Sequence, residues 1–596
     1  MMKNKIHIKF SLWFLAIFML FTSCDILDVE LDDRLTMDMV FESRQTVERF
    51  LNHVYSYTPE EWSHYDTPWI GVSDEGDFVY RTNHHNINSG NWDPGSAPYH
   101  KWSHFYQGIR NASYFMERVH ECEELSPAQI ATMIAEARFL RAYYYFLLLR
   151  QYGPVIILGD EPYPLDGSID MARSSYDESV QWIAEEFSKA AVDLPLEWPS
   201  QWAGKATRGA ALAYRARLLL YAASPQFNGN PMYANAMNYD GTPLFSSTYS
   251  EDKWRQAAMA AREVMDLNQY QLVNRNDDPY TSYWAVFIES WNEEIIHGRS
   301  EHGWHWDMHA RPRGRQGYGG VSASQLQIDA YAMDNGIYPI TGYNGSQENP
   351  IIDPASGYND TGFTEYTHPI EGQTRETYNM FVNREPRFYV SLLWSGADWI
   401  FTDADYIVRY HWGGADGPAA AAHDYPKSGV SIRKMSHPNN DFTTPTVTRS
   451  WIMFRYAEIL LNYVEALNEY DPSNPDILNY LNQIRSRAGV PNIQEVYPNV
   501  IGNQDLMREM IRRERRVELA FETHRFFDTR RWLIGEETNG QPFYGMNIYA
   551  NTDAPGSEFW QRSLFENRVF EPKHYLYPLP QSELERNSLL VQNPLW

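Results

Sequence analysis

Apolar residues follow a helical period most densely between residues 125 and 154, where they occupy two faces of the helix. One face carries Ile130, Ile134, Ala137, Leu140, Tyr144 and Leu148, and the other carries Ala135, Phe139, Ala142, Phe146 and Leu149. A helix at a protein surface needs only one apolar stripe, because its other side meets water. Two stripes predict neighbours on both sides, and therefore a place inside a stacked array of helices.

The ends of this helix are marked by residues that satisfy its unpaired backbone groups. Ser126 is a preferred N-cap, Pro127 suits the first helical position, and Gln129 lies where a capping box needs it. Gly153 and Pro154 predict where the helix ends. We therefore expect one continuous helix across this stretch.

Further helices are predicted wherever the helical period returns. They cover residues 41–57, 105–122, 176–194, 207–224, 250–265, 451–468, 475–488 and 504–532. Alanines at the expected crossings, among them Ala210, Ala211 and Ala213, would let neighbouring backbones approach closely. Paired helices with small residues at their contacts are typical of tetratricopeptide-like stacking. We predict a mainly α fold: a tetratricopeptide-like helical-pair scaffold with an irregular, loop-rich lobe that contains a few short strands.

The helical period is lost in residues 58–104 and in residues 270–448, which are rich in Gly, Asn and aromatic residues. Apolar runs at 388–394 and 406–410 could be strands. A long irregular stretch inside a globular chain is usually functional, and so many rings argue against a disordered linker. We therefore expect one domain, 24–596, made of an N-terminal helical scaffold with an early aromatic loop (24–269, loop 58–104), a ligand lobe (270–448) and a C-terminal helical scaffold and tail (449–596).

The first residues have the features of a bacterial export signal. A basic start precedes an apolar run at residues 10–21, which is too short to span a membrane as a helix. Residues 21–24, Phe-Thr-Ser-Cys, resemble a lipobox, in which the cysteine receives lipid and begins the mature chain. We predict a lipoprotein signal peptide at 1–23 and lipid attachment at Cys24, the alternative being an ordinary secretory signal. Cys122 is the only other cysteine, so a lipidated Cys24 leaves no intrachain disulfide.

Charge and ring content narrow the kinds of partner. The chain has 50 basic and 77 acidic residues, a net charge of −27, which disfavours nucleic acid. It also has 20 Trp and 41 Tyr, and aromatic residues make up 15% of the sequence. Helix packing does not require so many rings, so some should be exposed for binding.

A series of collinear segments resembles the SusD/RagB family of surface glycan-binding lipoproteins. The segments are Cys24 to Asp28, AEARFLRAYYYFLLLRQYGPV (135–155), KATRGAALAYRARLLLYAA (205–223), SASQLQIDAYAMDNG (322–336), NREPRFY (383–389), FRYAEILLNYVEALNE (454–469), LNQIRSRAG (481–489), RRERRVELAFETHRFFDTRRW (512–532) and YPLPQSELERNSLLVQNP (577–594). The resemblance implies four tetratricopeptide-like helix pairs and a variable lobe that presents the sugar site. It also implies a lipid-anchored protein on the outer face of the outer membrane, which binds oligo- or polysaccharide without cofactor or catalysis. The implied partner is a SusC-type TonB-dependent transporter.

Sugars are recognised by flat rings that cover their C–H faces and by planar polar side chains that bond to their hydroxyls. Such groups concentrate in residues 74–92 and 280–318. In the family, a ring on the early loop and rings in the middle lobe commonly form the site. The resulting candidates are Trp92, Trp304, Trp306, Asn83, Asn88, Tyr318 and Trp284. Trp284 and Trp291 lie in the apolar pattern WAVFIESW, which favours a place in the core for both.

Several other interpretations stay open on the sequence alone. A glycoside hydrolase would need two carboxylates about 5–10 Å apart across a cleft, and no pair is marked among the acids. Helical repeats also bind peptides, so a peptide-binding or assembly module is the other alternative.

The sequence also offers an arginine run and loop histidines as candidate ligand contacts. The run Arg311, Arg313 and Arg315 could contact an acidic glycan, although a solvated loop is favoured. The loop histidines lack the set of acids or cysteines that a metal site needs, so we expect no metal.

Overall fold

The computed structural model describes residues 37–61, 69–80, 83–160, 162, 170–301, 304–399, 406–420, 422–439, 447 and 449–596. In these residues helices predominate and the strands are short, so the prediction of a mainly α fold is confirmed. The α-helices are α1 Met37–Val40, α2 Arg44–Tyr55, α3 His84–Asn88, α4 Trp102–Arg118, α5 Pro127–Tyr152, α6 Tyr176–Asp193, α7 Arg208–Ala223, α8 Glu251–Asp266, α9 Pro279–Ile288, α10 Trp304–Ala310, α11 Gln325–Ala330, α12 Pro386–Ser391, α13 Tyr456–Tyr470, α14 Asp476–Arg487, α15 Ile493–Val496, α16 Gln504–Glu518, α17 His524–Arg531, α18 Gly535–Thr538 and α19 Gln581–Arg586. The strands are β1 Gly76–Phe78, β2 Ile295–Glu301, β3 Val321–Ala323, β4 Ile340–Tyr343, β5 Pro350–Ile352, β6 Phe363–Thr367, β7 Thr374–Tyr378, β8 Leu392–Trp394, β9 Val430–Ile432, β10 Arg449–Arg455, β11 Pro542–Met546 and β12 Arg562–Asn567.

The predicted ends of α5 are confirmed. The Ser126 hydroxyl accepts a hydrogen bond from the Gln129 backbone N–H (3.3 Å), and the Gln129 side chain accepts one from the Ser126 backbone N–H (3.0 Å). Gly153 follows the last turn with φ +75°, a conformation in which glycine is strongly preferred. These local signals place the longest helix of the scaffold.

The scaffold is a series in which each helix packs on the next, from α4 through α8, and α13 continues it by packing on α8, α14 and α16. The two apolar stripes of α5 are explained by this arrangement, because α5 contacts α4 on one side and α6 on the other. Gly108 of α4 allows a close crossing, since a Cβ there would lie 2.8 Å from the Tyr144 ring of α5. Ala210, Ala211 and Ala213 are buried in α7.

Short antiparallel sheets connect the irregular segments to this scaffold. A four-stranded sheet of order β1-β3-β9-β8 joins the early loop to three strands between residues 321 and 432. Strand β2 pairs with β10, which leads directly into α13. Strands β11 and β12 form a pair near the end of the chain. The irregular segments are therefore packed structure with ladders of their own.

Three helix or strand predictions are wrong in part. Residues 504–532 form two helices, because the backbone turns at Phe521 and Thr523, both with positive φ. The run at 388–394 begins inside α12 and only its end is a strand. Residues 406–410 contribute an isolated bridge, between Ile407 and Asp398, in place of a strand.

None of the helices in the described part of the chain has the length and apolar character needed to span a membrane.

Candidate functional site

Trp92, the first ring predicted to contact sugar, is covered by the end of the chain. Its side chain is 4% exposed. The indole stacks on His574 with 5.1 Å between centroids and lies 4.8 and 4.7 Å from the rings of Tyr577 and Trp596. The structure therefore places Trp92 in the core, because residues far along the chain close over it.

Trp306 and Asn88 are also buried, contrary to the exposure that their polar surroundings predict. The Trp306 Nε1 of α10 donates a hydrogen bond to the Lys434 carbonyl (2.9 Å). The Asn88 amide of α3 donates to the Gly71 carbonyl (3.1 Å) and to the Glu566 carboxylate (3.3 Å). Both side chains join segments that are distant in sequence.

The remaining candidates lie in different environments. Asn83 is exposed at the start of α3, and Trp284 is half-buried on α9. Tyr318 is 37% exposed beside the turn at residues 313–315. Trp304 begins α10, but its side chain lies outside the described atoms, and Cys24 lies outside the described residues. The predicted residues are not brought together into one described site.

Three other rings form an aromatic surface, which we name the platform. They are Trp412, Tyr425 and Tyr549. Trp412 is 43% exposed and Tyr549 is 64% exposed, and their centroids lie 5.8 Å apart with 36° between the ring planes. Tyr425 is half-buried beside them. Burial, together with the neighbouring Tyr549 side chain, raises the pKa of Tyr425 to about 12. The platform therefore brings residues 412–425 together with residue 549, which is distant in the sequence.

The buried Asp416 carboxylate anchors the loop that carries Trp412. It accepts hydrogen bonds from the backbone N–H of Gly314 (2.9 Å) and Arg409 (3.0 Å) and from the Tyr406 hydroxyl (2.9 Å). Burial raises the pKa of Asp416, and these donors oppose that rise by stabilising the ionised form. Residues 406–416 are thereby fixed to the turn beside Tyr318.

The backbone of Trp412 is held on both sides, while its indole stays exposed. Its N–H donates to the Ala550 carbonyl (3.0 Å), and its carbonyl accepts from the Ala419 N–H (3.0 Å). The backbone at Gly417 lies so close to the His411 carbonyl that only glycine fits, because a Cβ there would lie 1.9 Å from the carbonyl oxygen. Sequence reasoning missed this ring, although HWGGADG (411–417) contained a signal: small residues that give an indole little to pack against locally.

Planar charged groups flank the platform. Arg313, on the turn beside Tyr318, pairs with Asp424 at 3.5 Å, and Asp424 precedes Tyr425 in the chain. Partial burial raises the pKa of Asp424, and the Arg313 guanidinium opposes that rise. Arg409 pairs with Asp553 at 3.0 Å. Guanidinium and carboxylate groups beside exposed rings are the polar partners that sugar hydroxyls require.

The basic run at residues 311–315 does not act as one patch. Arg311 is buried. The Arg315 guanidinium lies 4.8 Å from the centroid of the Tyr406 ring, whereas Arg313 pairs with Asp424 on the platform side. Across the described ranges, no three His, Cys, Asp or Glu side chains are placed to hold a metal ion.

Helices packed in series beneath an exposed group of rings and planar polar groups are typical of helical-repeat proteins, which often bind ligands on an extended surface. Sequence profiles identify the family more closely. The profile of the SusD family matches residues 247–596, and a profile described as starch-binding associating with outer membrane matches residues 25–220. The chain therefore belongs to the SusD family, and this membership supports carbohydrate binding as its general function.

Individual relatives agree with this placement. SusD-like protein P2 of Formosa agariphila is 37% identical over 147 residues, which are 24% of this chain and 25% of that relative, so the match spans about a quarter of the relative's length. A SusD-like carbohydrate-binding protein of Bacteroides fragilis has a similar structure, with a TM-score of 0.71 at 23% identity over 93% of this chain and all of the other (100%). A laminarin-binding SusD-like protein gives a TM-score of 0.56 at 18% identity, over 93% of this chain and 100% of that one. Both structural likenesses concern the fold.

Proposed function

We propose that the protein captures an oligo- or polysaccharide at the cell surface and delivers it to a SusC-type TonB-dependent transporter. The observation that carries the binding step is the platform, where Trp412, on a fixed loop, and Tyr549 expose neighbouring rings. Exposed rings of this kind cover the C–H faces of sugars. The paired side chains of Arg313 and Asp424 would hydrogen-bond to the sugar hydroxyls. Tyr318 and Asn83, both exposed, remain candidates for further contacts.

The proposal is binding without turnover, and one experiment tests both halves of it. The full mature chain is run through native gels that contain starch, laminarin, xylan, mannan, galactan or polygalacturonate, and the same mixtures are assayed for new reducing ends. We expect retardation by at least one neutral polysaccharide. We expect no new reducing ends, because the sequence marks no pair of carboxylates for glycoside hydrolysis. Mobility unchanged in every gel would overturn the glycan proposal, and new reducing ends would make the protein a glycoside hydrolase.

The cellular location is a separate prediction that rests on Cys24. In cells that produce the tagged chain, the wild type should be found in the outer-membrane fraction, exposed to added protease, and should co-purify with a large barrel transporter after detergent extraction. The variant Cys24→Ala should lose membrane attachment, because a single thiol carries the proposed lipid. A variant that stays as firmly attached as the wild type would contradict the lipid anchor, and a chain that purifies without any barrel protein would contradict the transporter partnership.

A further inference from the structure

A concave surface that shares no residue with the platform lies between the scaffold and the start of strand β2. It is a cleft of about 470 Å³, within the range of small-molecule sites. One wall is the segment from Leu196 to Thr207, which connects α6 to α7, and the other includes residues 290–296 with Arg449 and Ser450 of β10. We name it the Trp198 cleft. It shares no residue with the platform or with its flanking charged pairs.

Aromatic rings line the cleft on both sides. Trp198 is fixed by a hydrogen bond from its Nε1 to the Ala206 carbonyl (2.8 Å), and Trp291 lines the other wall. The apolar pattern around Trp291 predicts a core position, but the ring is 38% exposed. It lies over strand β2, where a Cβ on Gly298 would be 3.4 Å from its Cζ3 atom. Tyr270 contributes a third ring to the lining.

The charges in the lining are largely compensated by residues that belong to the fold. The Lys205 ammonium lies 3.1 Å from the Glu136 carboxylate, and Arg449 makes two hydrogen bonds to Asp307, at 2.9 and 2.7 Å. The exposed polar groups that remain at the rim include Glu197 and Gln269. Neither cation is therefore available to neutralise an anionic ligand, and Glu197 would repel one.

Rings on two walls with a carboxylate and an amide at the rim suit a ligand with apolar C–H faces and many hydroxyls. Glu197 would repel an anionic ligand, and a purely apolar ligand would make no hydrogen bonds to Glu197 or Gln269. We propose that the Trp198 cleft is a second carbohydrate site, which takes a short neutral oligosaccharide between Trp198 and Trp291. This proposal rests on carbohydrate being the ligand class of the protein, but it is independent of where the platform binds.

The test uses the full mature chain and isothermal titration with maltohexaose, laminarihexaose, cellohexaose, xylohexaose, mannohexaose and hexagalacturonate. The titrations compare the wild type, a platform variant with Trp412→Ala and Tyr549→Ala, and the same variant with Trp291→Ala added. We expect the platform variant to keep one weaker site for a neutral hexasaccharide and none for hexagalacturonate. Adding Trp291→Ala should weaken that residual site by roughly tenfold or more. A Tyr239→Ala change removes a ring that is 74% exposed elsewhere, and it should leave the residual site unaltered.

The outcomes separate the two proposals. If the wild type binds a hexasaccharide but the platform variant binds none, or if Trp291→Ala leaves residual binding unaltered, the cleft is not a carbohydrate site and the proposed function stands. If neither the wild type nor any variant binds any oligosaccharide of the set, the cleft proposal fails, and the proposed function fails with it only if every polysaccharide gel also leaves the mobility unchanged. Thermal melting of each variant verifies folding, and Gln269→Ala supplies a second change in the cleft should Trp291→Ala not fold.

Discussion

Replacing Glu518 with glutamine is expected to lower the free energy of unfolding by about 3–5 kcal/mol, the usual cost of breaking a buried ion pair. The Glu518 side chain at the end of α16 is fully buried, and three guanidinium groups surround it. Arg455 donates to its carboxylate at 2.7 Å, Arg387 at 3.0 Å, and Arg487 also pairs with it. The neutral amide would leave these buried cations short of negative charge.

A matched control lies on the same helix. Glu509 pairs with Arg512 at 3.3 Å, but its side chain is 64% exposed. Glu509→Gln should therefore change the free energy of unfolding by less than about 0.5 kcal/mol. Urea unfolding of both variants, followed by far-UV circular dichroism, measures the difference. Equal stability of Glu518→Gln and Glu509→Gln would contradict the view that this cluster holds α16 to the lobe.

The same carboxylate makes a prediction about pH. Burial alone would oppose its ionisation, but Arg487, Arg455 and Arg387 hold the pKa of Glu518 well below its usual value. Since a depressed folded-state pKa favours the ionised native form, the stabilisation is present above the unfolded-state pKa, about 4.3, and is lost as the pH falls below it. The wild type should lose stability between about pH 5 and pH 3 more steeply than Glu518→Gln.

Removal of the platform rings is expected to abolish most polysaccharide binding without loss of stability. Trp412→Ala and Tyr549→Ala should each weaken the affinity roughly tenfold, and the double variant roughly a hundredfold, because each ring supplies stacking energy and apolar contact area. Both side chains are substantially exposed, so the melting temperature should stay close to that of the wild type. Affinity electrophoresis on the best polysaccharide of the panel measures the loss.

Two control variants make this result specific. Tyr239→Ala removes an exposed ring that is far from Trp412 and Tyr549 in sequence, and it should retain the mobility shift of the wild type. Trp92→Phe alters a buried ring that packs on His574 and Trp596, so it should affect stability more than binding. Binding by the platform double variant that is as strong as that of the wild type, or loss of binding in Tyr239→Ala, would locate the main glycan site elsewhere.

Local sequence patterns were sufficient to predict most helices of the scaffold. Ser126 and Gln129 cap α5 as predicted, and Thr207 accepts a hydrogen bond from the Ala210 N–H at the start of α7. Caps and apolar stripes act within one or two turns of helix, so the sequence alone reveals them. The break between α16 and α17 was missed because Phe521 and Thr523 are unusual residues for positive φ.

The candidate site was less predictable, because exposure depends on which distant segment covers a ring. Trp92 lies in a Gly- and Asn-rich stretch, yet residues 574–596 bury it. Trp306 is buried because strands and turns around Lys434 reach its Nε1. The rings of Trp412 and Tyr549 are in contact at the surface, although the two residues lie 137 positions apart in the chain. Local sequence patterns cannot predict a contact at that separation. Family resemblance identified the kind of ligand but not these residues.

We have argued that the helical scaffold supports the protein and that the aromatic surface binds the ligand. The most direct test is a crystal structure with the tightest-binding oligosaccharide of the panel. We predict sugar rings stacked on Trp412 and Tyr549, hydroxyls within hydrogen-bond distance of Arg313 or Asp424, and helices α4 to α8 unchanged. A complex in which the platform stays bare at saturating ligand, with the sugar held by other residues, would contradict the account.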